Sequence, residues 1–174
     1  MLLVALVGVA QNGCSSAGVF RKRLVFQQEE LQQKIEGVFP LQKRKSLLTA
    51  TLSGPRVLLA EGSDRLGIGL AVKAGLRGGK KHRGEVEVDG ELEYRSAQAS
   101  LFVIKPRVRR LRISDLPSKY QDPVREVVDA LVQAYLSEIL IYQLKQGDHK
   151  HSLAKLVLRA VQVEDGALVV ELGL

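Results

Sequence analysis

The chain has 174 residues, 45% of them hydrophobic and 5% aromatic, with no Trp; that is apolar material for one core, which must be built from Leu, Val, Ala and Ile. Its 26 Lys and Arg against 19 Asp and Glu give a formal charge of +7, which favours anionic partners such as nucleic acid or phospholipid headgroups. The single cysteine, Cys14, excludes an internal disulfide framework and any multi-cysteine metal site.

Leu2 to Ala10 form an uncharged apolar run of the length of an export signal, too short to span a bilayer as a mature helix. Gly13, Cys14, Ser15 and Ser16 follow, an arrangement that resembles the acylation box of bacterial lipoproteins, in which the cysteine becomes the lipidated first residue. Gln11 and Asn12 stand where such boxes carry Leu and a small residue. Acylation at Cys14, simple export and a buried segment that is no signal all remain open.

Beyond the basic triplet Arg21-Lys22-Arg23, Leu31, Ile35 and Val38 recur at helical spacing between Phe26 and Phe39, and Pro40 ends the pattern; this predicts a short amphipathic helix. From Ser46 to Ile113 the period changes to two, punctuated by Ser53-Gly54-Pro55, Gly62-Ser63-Asp64 and a glycine-rich loop. That pattern predicts an antiparallel meander. Leu66, Ile68, Leu70, Val72, Ala74 and Leu76 share a face with Val86, Val88, Leu92 and Tyr94 if Leu76 pairs with Gly84. The opposite face of the second strand is then a row of Glu85, Glu87, Asp89, Glu91 and Glu93. A fold-back about Ala97 sets Lys105, Arg107 and Arg109 against Asp89, Glu87 and Glu85. The apolar parity changes between Val108 and Leu111, which predicts a β-bulge at Arg109-Arg110.

Asp122-Pro123-Val124 reads as a helix start, with Asp122 as N-cap and Pro123 in the first position. A long helix is expected to follow, its stripe running from Val124 through Leu131 and Tyr135 to Tyr142. The chain closes in a hairpin whose Asp165-Gly166 turn sets Val163 against Leu168 and Val161 against Val170. The fold class predicted is α+β: a strongly curved antiparallel sheet, the meander plus the C-terminal hairpin, wrapped around one long α-helix, with a short N-terminal helix.

Catalytic motifs are not found, so no enzymatic activity, catalytic residue, cofactor or metal is expected. Gly67-Ile68-Gly69 has Val72 where a dinucleotide turn needs glycine, and Gly75 to Lys81 has neither the spacing nor the hydroxyl of a phosphate loop. The acidic row is better read as a solvated strand face than as paired catalytic carboxylates. His149 and His151 lack companion ligands for a metal. Arg77, Lys80, Lys81 and Arg83, with His82, make the densest positive cluster in the sequence. It is either a solvated hairpin tip or a contact for anionic headgroups or nucleic-acid phosphates.

The order of these features resembles the YceB-like family of bacterial lipoproteins. The residues that carry the resemblance are Glu29-Glu30-Leu31 through Phe39-Pro40, Gly54-Pro55-Arg56-Val57, Arg65-Leu66-Gly67-Ile68, Glu93-Tyr94-Arg95, Val124-Arg125 through Tyr135-Leu136, Ile141-Tyr142-Gln143-Leu144 and Gly166-Ala167-Leu168-Val169-Val170. Leu140 stands where that family usually has proline. The family is similar in fold to tubular lipid-binding (TULIP-like) domains, in which apolar ligands lie between a long helix and a twisted sheet. What the resemblance implies is a non-enzymatic envelope lipoprotein, anchored in the outer membrane and facing the periplasm, since Ser15 rather than Asp follows Cys14.

Residues 1–23 are accordingly read as a signal or lipoprotein-type segment and 24–174 as a single lipid-binding-like domain. The expected partner is a lipid or another elongated apolar molecule, lined by Leu70, Phe102, Leu131 and Tyr135. Arg77, Lys80, Lys81 and Arg83 are expected to meet anionic headgroups, and an acyl chain on Cys14 to meet the membrane. The rival reading is an envelope assembly or scaffold protein acting through its surface. A basic nucleic-acid module is disfavoured by the apolar N-terminal run and the scarcity of aromatics.

Overall fold

A computed structural model describes residues 21–76, 78–143 and 156–174. In chain order the elements are β1 (Arg21–Phe26), α1 (Gln28–Glu36), β2 (Leu41–Lys45), β3 (Leu48–Leu58), β4 (Leu66–Leu76), β5 (Lys81–Arg95), β6 (Ser100–Ile113), α2 (Gln121–Tyr135), β7 (Ile139–Gln143), β8 (Val157–Glu164) and β9 (Ala167–Gly173). The six strands β2 to β7 form one antiparallel sheet in chain order, and β1-β9-β8 form a second of three strands. Helix α2 touches β2, β3 and β6. A flat sheet would hold β2 and β6 far apart, so the six-stranded sheet is curled around α2. Helix α1 touches β3 and β7.

The expected α+β fold with one long helix is overturned: the described residues are mostly β, and the two α-helices among them are short. Helix α2 has 15 residues and stops at Tyr135. Leu136 closes it with a backbone bond to Val132, and Ile139–Gln143 then pairs with β6, Val103 opposite Ile139. The stripe misled because Ile139, Ile141 and Tyr142 fit spacings of both two and three, and so short a run cannot distinguish strand from helix by period. The open edge of β6 settles it by supplying ladder partners. Nor does Asp122 cap α2. Tyr120 is the N-cap after a 3-10 turn (Ser118–Tyr120), and Pro123 is the third helical residue, still within the turn whose N–H groups lack helical acceptors.

The C-terminal hairpin forms with the expected register, Val163 opposite Leu168 and Val161 opposite Val170, on a turn with Asp165 at φ 50° and Gly166 at φ 73°. It does not join the meander sheet. Strand β9 pairs on its other side with β1, Leu24 opposite Val170, so Arg21–Arg23, placed above with the leading segment, are part of a folded sheet. Backbone bonds from Gly62 N to the Val163 carbonyl (2.9 Å) and from Val163 N to the Ser63 carbonyl (2.8 Å) tie the second sheet to the loop between β3 and β4.

The register of the meander differs from the sequence reading in ways that have local causes. Val72, not Leu76, faces Gly84. The β4–β5 loop is tighter than supposed, closed by a bond from Gly79 N to the Leu76 carbonyl at 3.1 Å, and parity is kept because the shift is even. The bulge at Arg109-Arg110 is present: Val108 faces Val88 while Arg110 faces Glu87, leaving Arg109 unpaired in the ladder. A second irregularity spans Lys105-Pro106, between the Asp89–Arg107 and Glu91–Ile104 pairs, with Lys105 at φ 46°. Proline, having no N–H to give the ladder, suits such a site. The two shifts set Arg107, Arg110 and Arg112 opposite Asp89, Glu87 and Glu85, instead of Lys105, Arg107 and Arg109.

Ser53-Gly54-Pro55, read as punctuation between strands, is a bulge inside β3. Gln32 of α1 satisfies the interrupted backbone, accepting from Val57 N at 2.9 Å and donating to the Pro55 carbonyl at 2.6 Å. Val124, Val127, Val128, Leu131 and Val132 of α2 are each at most 1% exposed. They pack with Leu31 and Ile35 of α1 against the even-numbered rows of β4 and β5 in one continuous core.

Candidate functional site

The residues expected to line an apolar ligand lie in three different settings. Leu70 is 2% and Leu131 0% exposed, both as core. Phe102 lies half-buried beneath the Arg95 guanidinium, 4.6 Å from its ring centre. Tyr135, at the C-terminal end of α2, is 50% exposed. None of the four lines the cavities described next.

Those cavities gather at the end of the curled sheet where α2 begins. Residues there come from the β2–β3 turn, the β4–β5 hairpin, the end of β6 and the segment leading into α2. Leu48, Gly75, Leu76, Lys80, His82, Leu116 and Tyr120 enclose a small recess of about 110 Å³. Leu48 and Tyr120 also wall a shallower apolar cavity of about 340 Å³ with Leu47, Pro123, Lys45, Lys119 and Glu126. On the other side of Leu116 lies a more polar cavity of about 450 Å³, lined by Leu111, Arg112, Ile113, Gln121, Asp122 and Arg125. The recess shares Leu116 with one neighbour and Leu48 and Tyr120 with the other, so the three cavities lie side by side around the start of α2.

Local sequence explains each wall. Strand alternation turns Leu48 and Leu76, which face each other across β3 and β4, toward the concave side at the end of the sheet, where no further layer of the described residues covers them. Both are partly exposed. The β2–β3 connection is a two-residue turn, since Lys45 pairs with Leu48. Such turns favour Asn, Asp and Gly, yet Leu47 occupies this one and is 66% exposed. Lys119 Nζ sits 5.0 Å from the centre of the Tyr120 ring, a cation seated on an aromatic face at the mouth of the recess.

The charge of this end is positive. Lys45, Lys80, Arg112, Lys119 and Arg125 line these cavities against the carboxylates of Asp122 and Glu126. Glu126 is already held by Lys45 at 2.6 Å, and the hydrogen bond and charge of that lysine keep its carboxyl below the usual range. Of the four cations read as headgroup contacts, Lys80 lines the recess. Lys81 and Arg83 belong to the odd-numbered row of β5, with Glu85, on the opposite face from Val86. Arg77 lies outside the described residues, as do Cys14, His149 and His151. Sequence reading missed Leu48, Leu76, Leu116, Tyr120, Arg112 and Arg125. The signal available was the Leu47-Leu48 pair one residue after Lys43-Arg44-Lys45, with apolar Leu47 where a turn should be polar.

The acidic row of β5 is engaged structurally. Asp89 takes Arg65 at 2.6 Å, Arg107 at 2.8 Å and Arg109 at 3.3 Å; Glu91 takes Arg65 at 2.8 Å and Lys105 at 3.1 Å; Glu87 takes Arg110 at 3.2 Å. Among the described residues no group of three or more His, Cys, Asp or Glu is arranged to hold a metal, and no helix is long and apolar enough to cross a membrane.

The family described as "Protein of unknown function (DUF1439)" matches residues 26–167. The chain belongs to this family. The match runs from the last residue of β1 to the first of β9, so the curled sheet, both helices and the recess at the start of α2 all lie within the family's extent. No curated protein matches the chain.

Proposed function

We propose that this protein is a non-enzymatic lipid-binding protein of the bacterial cell envelope, and that it takes its lipid at the α2 end of the curled sheet. The observation that carries the reading is the meeting of partly exposed apolar walls with a cationic rim: Leu48, Leu76, Leu116 and Tyr120 beside Lys45, Lys80 and Lys119. Apolar surface of this kind gains by covering hydrocarbon, while the cations favour anionic headgroups by about 1 kcal/mol each near a membrane surface. Leu47 adds an apolar side chain at a turn tip beside Lys45, suited to entering an interface.

Membership of the DUF1439 family fits the finer reading of a YceB-like lipoprotein, with residues 1–23 as export segment, Cys14 as acylation site and an outer-membrane, periplasm-facing location. The lipid is assigned to the end of the sheet because Leu70 and Leu131 are close-packed core.

Flotation of the protein with vesicles tests the central claim. Vesicles of phosphatidylcholine with phosphatidylglycerol are expected to retain it at low salt, and pure phosphatidylcholine vesicles much less. Leu47→Asp combined with Lys80→Glu is expected to abolish retention. Equal behaviour on both vesicle types, or retention unaffected by the double substitution, would refute the assignment. Fatty-acid labelling of cells expressing wild type and Cys14→Ser tests the anchor: label confined to wild type is the expected result.

A further inference from the structure

The outer face of the curled sheet supplies a second contact with the membrane, a conclusion that rests on the lipid reading. We infer that the convex face of β2 to β5, at the end where α2 begins, docks on an anionic phospholipid bilayer through Arg44, Lys73, Lys81 and Arg83. Their register puts them together. Lys73 stands directly opposite Arg83 across β4 and β5, and Gly75 opposite Lys81; Gly75 in turn faces Thr49, and Thr49 faces Arg44. Residues paired across neighbouring strands point to one side of a sheet. The buried Val72 and Val86 take the other side, so the four cations share the convex one, and all four are exposed.

The convex face changes character along β5. Toward Asp89 its charges are matched: Asp89 holds Arg65, Arg107 and Arg109, and Glu87 holds Arg110. Toward Lys81 the matching stops. Arg44, Lys73, Lys81 and Arg83 make no ion pair or side-chain hydrogen bond with any described residue. Glu85 stands opposite Arg112 and Asp115 follows β6, so even with both counted this end has five cations to two carboxylates. Like charges directly opposite, as Lys73 and Arg83 are, destabilise a sheet; an anionic surface laid over them relieves that cost. Thr49, Thr51, Ala71 and Gly75 lie between the cations, and their short side chains leave the charged ends standing proud. No aromatic ring occupies the described strand positions here, as stacking of a single-stranded nucleic acid would require. The border of the face fits a bilayer instead: β2 runs from Arg44 into the turn whose tip is Leu47, 66% exposed. From β2 to β5 is three strand spacings, roughly 14 Å, little more than a Debye length of about 8–10 Å, so all four cations feel one charged plane despite the curl.

Lys73→Glu separates docking from folding. The substitution sets a carboxylate opposite Arg83, a favourable cross-strand pair, so the variant is expected to melt at or above the wild-type temperature. Its affinity for vesicles of phosphatidylcholine with phosphatidylglycerol is expected to fall about tenfold or more, since each cation near such a surface is worth about a factor of five. Lys34→Glu changes the net charge equally at an exposed position of α1 and is expected to bind almost as wild type does. Sedimentation of the full chain with the vesicles and melting followed by circular dichroism give the two readouts. Wild-type affinity in Lys73→Glu, or an equal loss in Lys34→Glu, would overturn this inference and leave the lipid reading to its own variants at Leu47 and Lys80. Tighter binding of single-stranded RNA than of the anionic vesicles would overturn it in favour of a nucleic-acid contact. Failure of wild type to bind the anionic vesicles would overturn both.

Discussion

Arg65 donates from Nε to Asp89 at 2.6 Å, from Nη1 to Glu91 at 2.8 Å and from Nη2 to the Lys105 carbonyl at 3.3 Å, so one guanidinium holds the start of β4, the middle of β5 and the irregularity in β6. Arg65 and Asp89 side chains are each only 14% exposed, which places this pair among those where hydrogen bonding to charge matters more than on an open surface. Burial opposes the charged guanidinium, yet the hydrogen bonds it donates to Glu91 and Asp89 outweigh it and its pKa is raised. The bonds from Arg65 and then Lys105 hold the Glu91 carboxyl below its ordinary value. A carboxylate depressed in this way contributes stability that is present above its unfolded pKa and is lost as pH falls through the depressed folded value. Replacing Arg65 by Gln is therefore expected to destabilise the protein by about 1–2 kcal/mol at neutral pH, Asp89 keeping Arg107 and Arg109 as partners. The gap from wild type should narrow once pH falls below about 4, where carboxylates begin to protonate. Thermal melts across pH measure this; a gap that stayed constant would show that charge contributes nothing to it.

Strands β5 and β6 make a close approach that depends on glycine. A Cβ at Gly84 would run into the Arg112 carbonyl and come within 2.7 Å of Ile113 Cα, both backbone and unable to yield cheaply. Gly84→Ala is expected to cost about 1–3 kcal/mol by overpacking. Gly37→Ala, where a Cβ meets nothing within 4 Å and φ is −64°, should change stability by no more than about 0.5 kcal/mol. Urea unfolding of the two variants gives the comparison, and equal losses would argue that β5 and β6 separate easily. These elements also show how far local pattern reaches. The bulge at Arg109-Arg110 and the hairpin at Asp165-Gly166 were legible because parity and turn chemistry are properties of a few adjacent residues. Strand β7 was not, since Ile139 to Gln143 satisfies two periods at once. Strand β1 was not either, since Arg21-Lys22-Arg23 looks like solvated chain until β9 offers it an edge.

For the molecule as a whole, the curl of the six-stranded sheet decides both stability and site. It closes a buried apolar interior around α2, so Leu131→Ala is expected to cost about 2–5 kcal/mol. Tyr135→Ala, half exposed at the end of the same helix, should cost no more than about 0.5 kcal/mol. Chemical denaturation distinguishes them, and a small effect at Leu131 would mean that the interior is looser than its burial indicates. By itself the sequence determined the apolar face of each meander strand, the two turns of strongest local chemistry, the positive charge and the density of cations near Lys80, all of which follow from neighbours within a few residues. Only the tertiary structure decided that α2 ends at Tyr135, that the last hairpin belongs to a separate sheet, and that Leu48, Leu76, Leu116, Arg112 and Arg125 meet at one end. Those outcomes depend on hydrogen-bonding edges and on sheet curvature, which arise from strands far apart in the chain and leave no periodic mark in any one segment.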